Sequence, residues 1–383
     1  MVLSRYDVII IGAGAAGLSA AGVLVSRGKR VVVFDMGKTP GRKIMASGGG
    51  RCNITNLAAR YDRYFGENRD FVRSAVSRVL PRDILEWADL HSIKLVEKSA
   101  GQYFCADGAG VVLNALMDDA RGVDFVYDTT VSKVEKNGDD FVVNGCVARS
   151  VIVATGGTSF GALGVSDAGY KIAKQFGHKI IPVRPALCAL SYVGAPSELA
   201  GISLDAQISI GKNVVRDSLL FTHFGIGGPA AYRASLYDIH DGVYIDLLPD
   251  VNVLDELRKA KMTQGKKSVA GVLGQWLPAR VAKWVARGDV RNIADVKDSE
   301  IVQIAERVSK MNVLGDKIEY HGLASAEVVC GGVDTNEVSS KTMESKLCSG
   351  LFFVGEVLDI AGDLGGFNLH WAWASGRVAG ENA

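Results

Sequence analysis

The chain has 383 residues, 48% hydrophobic and 22% charged, with 45 glycines and a formal net charge of +1. That is apolar material for two or three domains, and it excludes a disordered or collagen-like chain. The even charge balance provides no global field to draw in nucleic acid or an anionic membrane, so any such partner has to find a local basic face.

In chain order, Tyr6 to Ile11 reads as a buried parallel strand, Ala15 to Ser26 as a helix ending before Gly28, and Lys29 to Phe34 as a second strand, which is a βαβ opening. Arg5 and the apolar run after it resemble a signal peptide, but glycines 12, 14 and 17 interrupt the run. No segment holds 18 consecutive apolar residues, so the reading is cytoplasmic with no membrane span. Helices are expected around Phe71 to Leu80 and Asp83 to His91. Strands are expected near Phe125 to Tyr127, Thr130 to Lys136, Asp140 to Asn144 and Ser150 to Ala154. From about Ala189 the texture changes to short alternating strands such as Leu204 to Ile210 and Val243 to Leu247.

Helical patterns follow at Asp255 to Lys261, Ser268 to Gln275, Pro278 to Ala286 and Ser299 to Ser309. The stretch 251–310 carries 12 Lys and Arg against 7 Asp and Glu. This basic surplus suits either a solvated helical surface or an acidic partner such as RNA. After Val329 the α/β character returns, with a strand at Leu351 to Val354 and a helix at Asn368 to Val378. Six cysteines (Cys52, Cys105, Cys146, Cys188, Cys330, Cys348) lie far apart, without a Cys-x-x-Cys pair or a histidine at zinc spacing. Free thiols are expected, and no structural metal.

Four segments carry a cofactor signal. Gly12-Ala13-Gly14-Ala15-Ala16-Gly17 follows a strand and opens a helix, the context that a dinucleotide fingerprint requires. Its first glycine permits the tight turn, the second lets backbone approach a pyrophosphate, and the third lets helix and strand pack closely. Asp35, 23 residues after Gly12, ends the second strand, where its carboxylate can accept from ribose hydroxyls. The second segment includes Gly41-Arg42-Lys43 and Ser47-Gly48-Gly49-Gly50-Arg51-Cys52-Asn53, with Asn56. It separates a flavin from a nicotinamide reading, because consecutive glycines let main chain lie against a planar ring while Arg42, Lys43 and Arg51 offset negative charge. Ala154-Thr155-Gly156 forms the third, and Val131 is assigned to the same pocket. The fourth comprises Gly355-Glu356, Asp359 and Gly366-Phe367-Asn368, where a helix N-terminus can face the electron-rich edge of a flavin. Non-covalent FAD is the expected cofactor.

These residues resemble the YhiN-like flavoproteins, also labelled the aminoacetone-oxidase or BaiN/RdsA family, over nearly the whole chain. The resemblance rests on GAGAAG (Gly12 to Gly17), GRKIMASGGGRCNITN (Gly41 to Asn56), FTHFGIGGPA (Phe221 to Ala230), GGV (Gly331 to Val333), TMESK (Thr342 to Lys346) and GEVLDIAGDLGGFNLHWAWASG (Gly355 to Gly376). It implies an α/β fold with a discontinuous Rossmann-like FAD domain, residues 1–188 and 334–383. A β-barrel-like domain, 189–250 and 311–333, would interrupt it and itself carry a helical insertion, 251–310. It also implies that Arg51, Cys52, Asn53 and Asn56 lie by the flavin. Gly227 replaces a serine usual in the family, His370 a usual glutamine, and Gly101 to Cys105 departs from a G-R-x-F-P pattern.

Flavin chemistry needs a hydride acceptor and often an acid for the carbon left behind. Cys52, His223 and His370 are the candidates for catalytic roles, each with a packing or hydrogen-bonding role as the alternative. With one dinucleotide fingerprint and no second GxGxxG unit, NAD(P)H would bind only transiently as donor. The resemblance implies reduction of a carbonyl-conjugated C=C bond, in a small-molecule enone or in a uracil of ribosomal RNA. The competing readings are an oxidase of a small amine and a non-catalytic, flavin-containing RNA-binding factor.

Overall fold

The computed structural model describes residues 4–98, 101–312 and 318–383. The chain forms two compact units, one built from residues up to Arg184 together with Glu327–Ala383, the other from Pro185–Ala326.

The first unit is organised by a five-stranded parallel sheet in the order Leu351–Phe353, Ser150–Val153, Val8–Ile11, Val31–Phe34, Asp124–Val126. Its central strands, Val-Ile-Ile-Ile and Val-Val-Val-Phe, are buried along their length, as a parallel sheet covered on both faces requires. The helix Ala15–Ser26 follows the first strand, and Gly28 in the left-handed region (φ +71°) ends the turn after it. A three-stranded antiparallel sheet, Asn53–Asn56 beside Gln102–Cys105 beside Leu95–Lys98, carries the second motif. The expected strand Thr130–Lys136 is a correction, since only Glu135–Asn137 pairs, in a hairpin with Asp140–Val143. Val131 and Val134 are buried three positions apart, so they enter the core from irregular chain and not with the period of two that a strand imposes. The expected helix Phe71–Leu80 is likewise a 3₁₀ turn, Arg69–Val72, followed by a short α-helix, Arg73–Arg78.

The C-terminal helix, Phe367–Asn382, packs along Ala15–Ser26, and glycines set the distance. A Cβ on Gly376 would lie 2.3 Å from the Ala16 carbonyl oxygen, and one on Gly380 2.8 Å from that of Ala20. Because the obstacle is backbone, Gly376→Ala is expected to cost about 1–3 kcal/mol of overpacking, read as a lower urea midpoint at unchanged m-value.

The second unit holds a six-stranded antiparallel sheet, ordered Val243–Asp246, Ser203–Ile210, Asn213–Phe221, Gly225–Gly227, Leu190–Tyr192, Ile318–Tyr320. Helices Val253–Thr263, Val269–Leu273, Ala279–Val285 and Asp298–Ser309 share one apolar core with that sheet, through residues such as Ile208, Ile245, Leu257, Val281 and Ile301. Among the described residues no helix is long and apolar enough to cross a membrane.

Candidate functional site

The glycine fingerprint builds its turn from steric necessity. Gly12 has φ +114°, and a Cβ there would lie 2.3 Å from the Ala154 carbonyl oxygen; one on Gly17 would lie 1.9 Å from the Gly12 carbonyl oxygen. Gly14, the N-cap of the fingerprint helix, differs, because nothing lies within 4 Å of where its Cβ would be. Gly49 (φ +66°) and Gly156 (φ +73°) likewise face open space. Backbone bared at these three places, one of them beside the unpaired N–H groups of a helix N-terminus, is what a pyrophosphate and a planar ring need for close approach. These residues fit FAD: Gly12 to Gly17 and Ala154 to Gly156 would hold the pyrophosphate side, and Ser47 to Asn53 with Gly366 the ring.

Asp35 accepts from the Ala13 N–H and the Gly37 N–H, both at 2.7 Å, with the Arg42 guanidinium 3.6 Å away. It therefore braces the fingerprint turn itself, leaving the remaining lone pairs for a hydroxyl. Arg42 also donates to the Leu163 carbonyl. The expected glycine loop begins as helix at Arg42 and breaks at Ser47 to Gly49, where ψ swings to 145° at Ser47 and the two glycines turn left-handed. Ser47 Oγ donates to the Ile44 carbonyl at 2.7 Å, closing that last turn. Arg51 is exposed, 5.9 Å above the Phe104 ring.

Lys43 and Glu356 form an ion pair of 2.7 Å across 313 residues of sequence. Ser159 donates to Glu356 at 3.0 Å and lies 2.8 Å from Lys43, and the Val329 N–H donates to the same carboxylate at 3.1 Å. Sequence reasoning missed Ser159; its only signal was position, two residues after Gly157. Gln102 was missed as well: it accepts from the Asn53 amide at 2.9 Å, which leaves Asn53 Oδ1 a buried acceptor without a partner.

The C-terminal segment is held to the strand Asn53–Asn56 and to itself. The Asn56 amide donates to the Gly365 carbonyl (2.8 Å), Trp373 Nε1 to the Ile54 carbonyl (2.8 Å), and Trp371 Nε1 to the Gly355 carbonyl (3.1 Å). Asn368 binds both polar groups of Gly362, and Gly366 takes φ +95° to open the helix at Phe367. Asp359 is buried and accepts from Gly331 N–H at 3.0 Å and Glu67 N–H at 2.8 Å; burial raises its pKa. It ties the strand Val328–Val333 to the turn at Glu67.

The three candidates for catalysis separate clearly. His370 is fully buried, with Nδ1 2.8 Å from Thr55 Oγ1 and Nε2 3.0 Å from the Val79 carbonyl. Since that carbonyl only accepts, the proton sits on Nε2 and Thr55 donates to Nδ1. Burial lowers the pKa to about 4, so this imidazole is neutral and occupied. Cys52 is also fully buried, at φ +50°, and burial pushes its thiol up to about 12. With no access to a solute, it packs as a small apolar group. Cys52→Ala is expected to retain flavin and near-normal turnover; a loss of about 10²-fold would reinstate the thiol as the acid.

His223 belongs to the second unit, on the turn between Asn213–Phe221 and Gly225–Gly227 that the Thr222 N–H closes onto the Gly225 carbonyl at 2.9 Å. It is exposed, and its neighbour Phe224 stacks on His321 with ring centres 3.7 Å apart and planes 5° from parallel. Thr222 Oγ1 beneath it is buried without a hydrogen-bond partner. The turn thus shows solvent an imidazole and a flat aromatic pair.

The profile of the family described as HI0933-like protein Rossmann domain matches residues 6–382. The chain is 40% identical over 393 residues to a Haemophilus influenzae protein named ribosomal RNA dihydrouridine synthase, covering 97% of each. It is 37% identical to an Escherichia coli protein of the same name, covering 99% of this chain and 98% of that one. It is 31% identical to the 3-dehydro-bile acid delta(4,6)-reductase of Clostridium scindens, covering 98% of both.

Proposed function

Given that the chain belongs to the HI0933-like Rossmann family and is an FAD-dependent oxidoreductase, we propose that it reduces the C5=C6 bond of a uracil in ribosomal RNA to dihydrouracil, with NAD(P)H as the ultimate donor. The observation that carries this reading is the near full-length likeness to two relatives named for that product, one of them 40% identical. The exposed Phe224–His321 pair supports it, since aromatic faces of this kind accept splayed-out bases. So does the basic surplus of residues 251–310.

Reduction adds a hydride to one alkene carbon and a proton to the other, with negative charge passing through the conjugated carbonyl in between. FAD, when bound, supplies the hydride. The N-terminus of the helix Phe367–Asn382 favours negative charge nearby through its dipole. His223 is the proposed proton donor, because it is solvent-exposed and both other candidates are sealed in the core.

The test is mass-spectrometric dihydrouridine in ribosomal RNA from cells lacking the protein, complemented with wild type or His223→Ala. Wild type restores the nucleoside, and His223→Ala retaining FAD lowers single-turnover reduction by about 10²-fold or more. Unchanged dihydrouridine in cells lacking the protein overturns the reading. Anaerobic mixing with NADH and NADPH, followed by air, completes it: bleaching near the flavin band with slow reoxidation fits a reductase, and rapid peroxide release fits an amine oxidase. The second reading, reduction of a steroid-type enone, is favoured by the Clostridium scindens relative. Enone turnover with unaltered ribosomal RNA would select it.

A further inference from the structure

A cavity of about 400 Å³ opens in the first unit among the helices Ala15–Ser26, Pro81–Leu90, Ala109–Asp119 and Phe367–Asn382. Its lining is mainly apolar, with Val23, Ile84, Trp87 and Trp373 among its members and Asp119 and Arg377 as its charged groups. It begins just past the fingerprint: Leu18, on its wall, is four residues from Gly14, about 6 Å along the helix.

The charges around it are unevenly committed. Asp119 accepts from Trp87 Nε1 at 2.7 Å and pairs with His91 at 3.0 Å. Asp83 caps its own helix by accepting from the Leu80 N–H at 2.7 Å, and Glu381 pairs with Arg78. Arg377 makes no hydrogen bond or ion pair among the described residues; it is half-buried, and burial lowers its pKa while Asp83, Asp119 and Glu381 act on it the other way without reaching ion-pair distance. A half-buried guanidinium that makes no hydrogen bond keeps its planar fork open, and a carboxylate can meet that fork with two parallel hydrogen bonds. The size is that of a small-ligand pocket, apolar with one or two placed polar groups.

We propose that this cavity binds a small amphipathic carboxylate, its anionic end on Arg377 and its flat apolar body against Trp87, Ile84 and Val23. Asp119, already accepting from two donors, is the carboxylate of the lining and disfavours an anion placed against it. The site is independent of the redox reading above.

Fluorine NMR of the FAD-loaded protein with 4-(trifluoromethyl)benzoate tests it, beside the matched neutral benzyl alcohol and cationic benzylamine. The benzoate is expected to bind at least about tenfold more tightly than either. Arg377→Met is expected to abolish that preference, and Arg377→Lys to restore part of it, with flavin content unchanged. Ser26→Trp, at an exposed residue of the lining, is expected to block all three probes and serves if Arg377→Met fails to fold. Equal binding of the three probes, no binding of the benzoate, or unaltered preference in Arg377→Met or Ser26→Trp overturns the proposal.

Discussion

Gly14→Val is expected to yield a folded protein that purifies colourless. Gly14 sits at φ −86°, ψ −171°, extended backbone that valine adopts freely, and no protein atom lies within 4 Å of its Cβ position. The substitution therefore finds room in the protein itself and takes it from the cofactor, at the place where main chain and helix N-terminus must meet a pyrophosphate. Its own cost is small, about 1 kcal/mol for a poorer N-cap residue. The larger change is loss of binding linkage, about 3–4 kcal/mol where FAD would be present at 100 to 1,000 times its dissociation constant. Gly12→Ala and Gly17→Ala make the contrast. Their new methyls would meet backbone at 2.3 and 1.9 Å, so these variants should lose structure and cofactor together. The checks are the flavin absorbance per chain and the far-UV circular dichroism of Gly14→Val against wild type stripped of FAD. A yellow, stoichiometrically loaded Gly14→Val would remove the fingerprint from the pyrophosphate site.

That contrast shows where sequence reasoning succeeds. Gly12, Gly14 and Gly17 are legible because strand, turn and helix are contiguous and each glycine has a local steric task. The helix at the C-terminus is legible for the same reason, although it runs on to Asn382 and starts at Phe367. Long-range partners are not: nothing in the spacing of Lys43 and Glu356, or of Asn53 and Gln102, announces that they meet. Nor is the closeness of the two helices announced by Gly376 and Gly380, since glycine four residues apart has meaning only once Ala16 and Ala20 are known to lie opposite. Thr130–Lys136 shows the reverse error, in which apolar side chains needed by the core, Val131 and Val134, imitate a strand that has no ladder to join. Residue chemistry also misleads when burial is unknown. Cys52 and His370 carry the right groups for proton transfer, yet each is sealed in the core, while His223 stands on an exposed turn.

His370→Gln is expected to flatten the acid limb of the stability curve without releasing the C-terminal helix. In the folded protein the imidazole is neutral, Nε2 donating to the Val79 carbonyl and Nδ1 accepting from Thr55, and burial brings its pKa from the usual 6.5 to about 4. A base with a depressed folded pKa is protonated first in the unfolded chain. Its contribution is complete above pH 6.5 and is lost as pH falls from there to about 4, roughly 3 kcal/mol over the window, with no further loss from this group below it. His178, buried and also shifted down, adds a slope of the same sign, so wild type should weaken through this range for two reasons. Glutamine offers an N–H to Val79 and an oxygen to Thr55 but cannot titrate, so His370→Gln should remove one of the two slopes. His370→Ala, by contrast, strands both partners and should be less stable at every pH. Urea midpoints of the FAD-loaded proteins at neutral pH and near the folded pKa decide it. If His370→Gln weakens as steeply as wild type, the imidazole is not the titrating group, and the neutral, structural assignment of His370 fails with it.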